Sequence, residues 1–221
     1  MTWALVVSDS QVVSPRPAPG PAAHATYVAK LTNLGAYARS DAELMAGITG
    51  AQQYWVRESA GMIPGWSTAS AITPTTSAPA AAAPGCGLAG DGAQFSSIMR
   101  DPGDRLFPGV DFSGDSPNHL VVLVPSACTN DVAAGLGRLG TSFANGGGVM
   151  LLELPPVDLQ TVLEHEYGHN VGLEHANNAR KEYGDLYELM GAGPDGFLQP
   201  RPGDRLPLGT GDRRSRRGGE R

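Results

Sequence analysis

Apolar positions recur along this chain with two periods, and their order predicts the architecture. Residues 25–31 read as a first strand, and residues 63–72 as a second. Between them Leu44, Ile48, Ala51, Tyr54 and Trp55 fall at helical spacing, which predicts a helix from Asp41 to about Gly61. Asp41 is the expected cap, and the apolar stripe, aromatics included, is expected in the core. Phe95 to Arg100 reads as a short helix. The run His119-Leu120-Val121-Val122-Leu123-Val124 is the strongest strand signal, apolar at successive positions as in a strand buried on both faces. Val149 to Leu154 is another buried strand, and the Gly-rich segment 135–148 before it can hold an irregular edge strand. Pro155-Pro156 then breaks the chain, and Asp158 is placed to cap a helix running to Val171. Strand, helix, four strands and a helix predict a mixed α/β (α+β) domain. Its twisted mixed sheet of about five strands packs on a long helix and on the last helix.

The rest of the chain is poor in such patterning. Residues 1–23 form a Pro/Ser-rich lead-in, 73–84 a Thr/Ala/Pro-rich surface loop, and 193–221 a Pro/Gly/Arg-rich tail expected to be disordered. The 221 residues suffice for one domain with a real core, set here at 24–192. No apolar run approaches the roughly 20 residues of a membrane span, and the start lacks the basic and apolar regions of a signal peptide.

Net charge is −6, unevenly divided. From Arg201 onward seven Arg stand against Asp204, Asp212 and Glu220, so the tail is +4 and the body −10. An acidic body argues against a nucleic-acid footprint, and the terminal arginines read as a solvated tail. The two cysteines, Cys86 and Cys128, can form one disulfide or stand as free buried thiols in a reducing compartment.

The last predicted helix carries the chemistry. His165-Glu166-Tyr167-Gly168-His169-Asn170-Val171-Gly172-Leu173-Glu174-His175 reads H-E-x-x-H-x-x-G-x-x-H. His165 and His169, four residues apart, leave one helix face a turn apart and can share a metal ion. Gly172 can turn the chain through a conformation that a Cβ penalises, returning His175 as a third ligand. Three imidazoles leave one tetrahedral position open, which separates a catalytic zinc from a structural one. Glu166 lies beside them as a base for the water at that position. Glu164 and Glu174 are assigned to the surface or to supporting positions. A G-x-G-x-x-G match at 135–140 is rejected as a dinucleotide site, because it neither follows a strand directly nor opens a helix.

Met190 lies 15 residues past His175, after Tyr183-Gly184-Asp185. The long histidine motif followed by such a Met resembles the metzincin zinc endopeptidases. The details over 165–191 are similar to the gametolysin-like branch and, more distantly, to the adamalysins. The resemblance implies a metzincin-like zincin domain in which His165, His169 and His175 bind Zn2+ and Glu166 is general base and then acid. It implies that Met190 floors the three imidazoles and that the 135–154 region supplies an edge strand for an extended polypeptide substrate. It also implies an extracellular, secreted monomer without nucleic-acid or membrane partners. In that setting Cys86 pairs with Cys128, in preference to a switch in which the Cys86 thiolate fills the open zinc position. The sequence departs from the family at Ala192, where some members carry Tyr, and in the weakly patterned tail. Two competing readings follow from that tail: a catalytically impaired zinc-binding protein, and a secreted interaction module on the same scaffold.

Overall fold

The computed structural model describes residues 21–78, 81, 86, 92–128, 135–153, 159–176 and 189–191. The expected features at residues 1–20, Asp158, 177–188 and 192–221 lie outside these. Five strands, β1 (His24–Leu31), β2 (Trp66–Thr75), β3 (Asn118–Val124), β4 (Gly135–Gly137) and β5 (Gly148–Glu153), form one sheet in the order β2-β1-β3-β5-β4. β2, β1, β3 and β5 are mutually parallel, and β4 runs antiparallel to β5 at the edge. Helices α1 (Asp41–Glu58), α2 (Gly92–Leu106) and α3 (Leu159–Asn170) complete a mixed α/β domain.

Side-chain alternation along the strands sorts the core into two halves. Val28, Val121 and Leu123 face α1 and α3, meeting Leu44, Ile48, Ala51, Trp55, Leu163 and Tyr167. Ala29, Leu31, Leu120, Val122 and Val124 face the other way, against Ile98 and Met99 of α2. β3 is therefore buried on both faces, as its unbroken apolar run predicts. The helix stripe likewise delivers Leu44, Ile48, Ala51 and Trp55 to the core.

The structure corrects three expectations. The α1 cap is Ser40, not Asp41. Ser40 and Glu43 form a reciprocal capping box, and Asp41 instead occupies the first turn and pairs with Lys30. β2 continues through Thr73, Pro74 and Thr75, so the loop assigned to 73–84 begins later. As an edge strand, β2 tolerates Pro74. α2 runs far beyond 95–100 and passes through Pro102, although a proline inside a helix removes one backbone donor.

Cys86 and Cys128 are joined in a disulfide, with Cα atoms 5.2 Å apart. Cys128 is fully buried on the α2 side of the sheet, and Cys86 packs against the same cluster. The bridge ties the residues before α2 to the short 3-10 turn Ser126–Cys128 that follows β3. In the chain-entropy view a loop of this size stabilises by about 4 kcal/mol.

Candidate metal centre

The end of α3 is built to bring three histidines together. After Asn170 the helix stops in a Schellman arrangement: the Gly172 N–H donates to the His169 carbonyl and the Leu173 N–H to the Gly168 carbonyl, both at 2.9 Å. Gly172 supplies the required left-handed residue, with φ +93°. The chain then reverses and returns His175 toward the helix.

One nitrogen from each of His165, His169 and His175 lies within 4.8 Å of the others. One ion can close that separation with small ring movements, since Zn–N bonds are about 2.0–2.1 Å. Two rings are already oriented. His165 Nδ1 lies 2.9 Å from the Leu189 carbonyl, and His169 Nδ1 lies 2.8 Å from the Leu173 carbonyl. A carbonyl only accepts, so both Nδ1 atoms carry the proton, and Nε2 is in each ring the nitrogen with a lone pair that can coordinate a metal. Burial lowers the His165 pKa to about 4 and lowers that of His169 as well, which keeps both rings neutral as ligands must be.

Glu166 is buried beside them. Burial pushes its carboxyl up to about 8, and the Gly137 backbone N–H, which donates to it, opposes that rise. Its Oε2 is buried with no hydrogen-bond partner. A buried carboxylate oxygen seldom stays unpaired, and a water or ion bound beside it would satisfy it. The donor set and this orphaned oxygen both fit a bound metal ion.

β4 lies directly over this carboxylate. A Cβ on Gly137 would stand 2.7 Å from the Glu166 carbonyl oxygen, 2.9 Å from its Oε2 and 3.1 Å from His169 Cβ. A Cβ on Gly135 would meet Glu166 Oε1 at 2.7 Å. The Gly135–Gly137 segment is thus a strand that approaches the helix closely, and it opens no helix as a dinucleotide loop would. Gly137→Ala is expected to destabilise by about 1–3 kcal/mol, because the helix backbone cannot yield. Gly65→Ala, whose Cβ meets nothing within 4 Å, is the matched control. Urea unfolding that left the two variants equally stable would contradict this close approach.

Met190 is buried, and its Sδ lies 2.5 Å from the position of a Cβ on Gly168, so it packs against the helix between His165 and His169. The same segment accepts from His165 through Leu189 and from the Ala176 N–H through the Met190 carbonyl. Glu174 is exposed as expected, whereas Glu164 is 4% exposed and accepts from Gln160 Nε2. Of the two placements open to it, surface or supporting, Glu164 takes the buried one: the helix is wedged between α1 and the sheet, so more than one of its faces is buried. The Cys86 sulfur is bonded to Cys128, which leaves no thiolate to cap a metal.

Sequence reasoning missed the polar cluster on the opposite side of α3. There Asn170, His119 and His24 are joined by hydrogen bonds, and Trp66, Thr26 and Tyr167 close around them. The one available signal was that His24 and His119 are the only histidines outside the motif, each at the head of a strand-forming run.

No protein-family model matches the chain, and no curated protein does. Among solved structures it is similar to the metalloproteinase-II from Bacteroides fragilis, at 17% identity and a TM-score of 0.46. The match covers 84% of this chain and 50% of that one, so the chain spans about half the length of that structure.

Proposed function

We propose that the protein is a zinc-dependent endopeptidase of metzincin type that cleaves extended polypeptides. The observation that carries this reading is a triad of imidazoles within 4.8 Å beside a buried carboxylate with an unpartnered oxygen. Zinc held by three imidazoles supplies a Lewis acid for the scissile carbonyl and an acidified water at its open position. His165, His169 and His175 would hold it through Nε2. Glu166 takes a proton from the attacking water and returns it to the leaving amine, a role suited to a carboxyl that burial has made more basic. Met190 supports the ligand helix from below, and Gly172 sets the turn that returns His175. β4, at the sheet edge, offers backbone groups along which a peptide strand can lie.

The Cys86–Cys128 disulfide favours an oxidising, extracellular setting. Among the described residues no helix is long and apolar enough to cross a membrane. The reading assumes a monomer with a polypeptide as its only macromolecular partner.

The direct test measures zinc in the purified chain and cleavage of an unfolded protein with and without chelator. One equivalent of zinc and chelator-sensitive cleavage are expected, with zinc lost in His169→Ala. If His169→Ala keeps its zinc, the ligand assignment fails. If the wild type holds zinc but cleaves nothing, the peptidase reading fails.

A further inference from the structure

Behind the metal helix runs a line of hydrogen bonds, buried from His24 to Asn170 and part-buried where it ends at Arg138. Its direction is fixed by its last member. The Arg138 carbonyl can only accept, so the Asn170 amide turns its Nδ2 toward it, at 2.8 Å. Asn170 Oδ1 then faces His119 Nδ1 at 3.1 Å, and that nitrogen must carry the proton. His119 Nε2 is left as an acceptor, 2.8 Å from His24 Nδ1, which therefore donates. One proton arrangement satisfies each bond from His24 Nδ1 to the Arg138 carbonyl, while His24 Nε2, at the far end of the line, is buried without a hydrogen-bond partner. His119 and Asn170 are fully buried and His24 is 1% exposed, so the bonds among these three side chains are shielded from water, whereas the bond to the exposed Arg138 is part-buried.

The line joins the parts that must be held in register at the metal centre. His24 and His119 belong to neighbouring strands β1 and β3. Asn170 is the last residue of α3 and follows His169 directly. Arg138 immediately follows β4 and is fixed to β5 by its N–H bond to the Val149 carbonyl. Two residues on, the Gly140 N–H donates to the His169 carbonyl at 2.9 Å. The segment that leaves the Glu166-covering strand is thus bonded to the ligand residue His169 and, through Asn170, to the sheet. Apolar side chains would fill this space at lower desolvation cost; a polar line whose bonds each need a donor opposite an acceptor instead favours one arrangement of helix, strand and sheet. The rings are also confined, with Trp66 4.3 Å from His119 and Tyr167 edge-on at 5.5 Å.

We propose that the His24–His119–Asn170–Arg138 line clamps α3 to the strand segment over Glu166, making His119 and Asn170 positioning residues for the metal centre. The inference rests on the metal reading above. It predicts that the affinity and geometry of the metal depend on side chains that never touch the ion.

Two measurements test it. In the wild-type protein at neutral pH, imidazole nitrogen NMR should show His119 and His24 neutral with the proton on Nδ1; a His119 protonated on Nε2 would overturn the line itself. Second, cobalt(II) replaces zinc as a spectroscopic probe in a competition titration. His119→Phe and Asn170→Ala should weaken cobalt binding by about 10–100-fold and shift its visible bands, as loss of supporting hydrogen bonds around a metal site typically does. His119→Gln, which can donate to Asn170 and accept from His24, should stay within about threefold of wild type, well inside that range. Val122→Ala, buried on the α2 side of the sheet, controls for lost stability and should keep wild-type affinity. Wild-type cobalt affinity and spectrum in His119→Phe would refute the positioning role, as would an equal loss in Val122→Ala. Should His119→Phe not fold, the NMR assignment and the His119→Gln titration decide. A wild type that binds no cobalt would sink the metal reading, while the tautomer result would still judge the hydrogen-bond line.

Discussion

Glu166→Gln is expected to lower the turnover of a peptide substrate by about 10²–10⁴-fold, the usual contribution of a positioned general base. Zinc content should stay at one equivalent, because the three imidazoles and their carbonyl partners at Leu189 and Leu173 are untouched. The loss should fall on kcat with KM nearly unchanged, since the carboxylate acts on the water and the leaving amine and not on the rest of the peptide. Glutamine fills the same buried space and can still accept from the Gly137 N–H. It cannot take a proton. A variant that kept its zinc and its rate would remove Glu166 from the mechanism. The neighbouring acids are poor substitutes by position: Glu164 is engaged with Gln160, and Glu174 faces solvent.

That site was legible in the sequence because its geometry is local. Four-residue spacing on a helix, a glycine at the turn and a histidine three residues later specify the triad without knowledge of the rest of the fold. Leu189 and Leu173 as carbonyl partners were not legible, because any residue offers a carbonyl and only the fold selects which one. The strand order was likewise unspecified by pattern, although the apolar run of β3 correctly predicted a strand buried on both faces.

The misses share a cause. Asp41 looked like the better cap because it directly precedes the apolar stripe, yet the S-x-x-E pair one residue earlier satisfies two backbone donors instead of one. The helix expected only over Phe95 to Arg100 continues through Pro102, since losing one backbone donor is tolerable when Ile98 and Met99 are already buried against the sheet. Glu164 was left between surface and supporting positions, because a helix considered alone does not show which of its faces are packed. His24 and His119, 95 residues apart, carry no pairing signal at all, and their juxtaposition arises only when β1 and β3 become neighbours.

Those two histidines also set an expected acid sensitivity. Burial lowers the His24 pKa from 6.5 to about 4, although the carbonyls of Phe143 and Ala144 favour its protonation. Burial, reinforced by His24, lowers that of His119 from 6.5 to about 3, against the opposing bond to Asn170. In the unfolded chain both protonate near 6.5, so below that pH the unfolded state binds more protons and the folded state loses stability. The contribution is therefore intact above about 6.5 and drains away as the pH falls toward each folded value. Each pH unit over which the unfolded chain holds one extra proton costs about 1.4 kcal/mol, so His24 alone accounts for on the order of 3 kcal/mol between pH 6.5 and about 4. His165 and His169 add losses of the same sign in chelator-treated protein, so the informative quantity is a difference between variants. His24→Gln removes one titrating group, leaving a hydrogen-bonding side chain. Urea unfolding in chelator should show this variant gaining on wild type by on the order of 3 kcal/mol as the pH is lowered from 7 to 4. A gap between the two that stayed constant over that range would mean that His24 titrates alike in the folded and unfolded chains, and that the strand-head pair is not held neutral by the core.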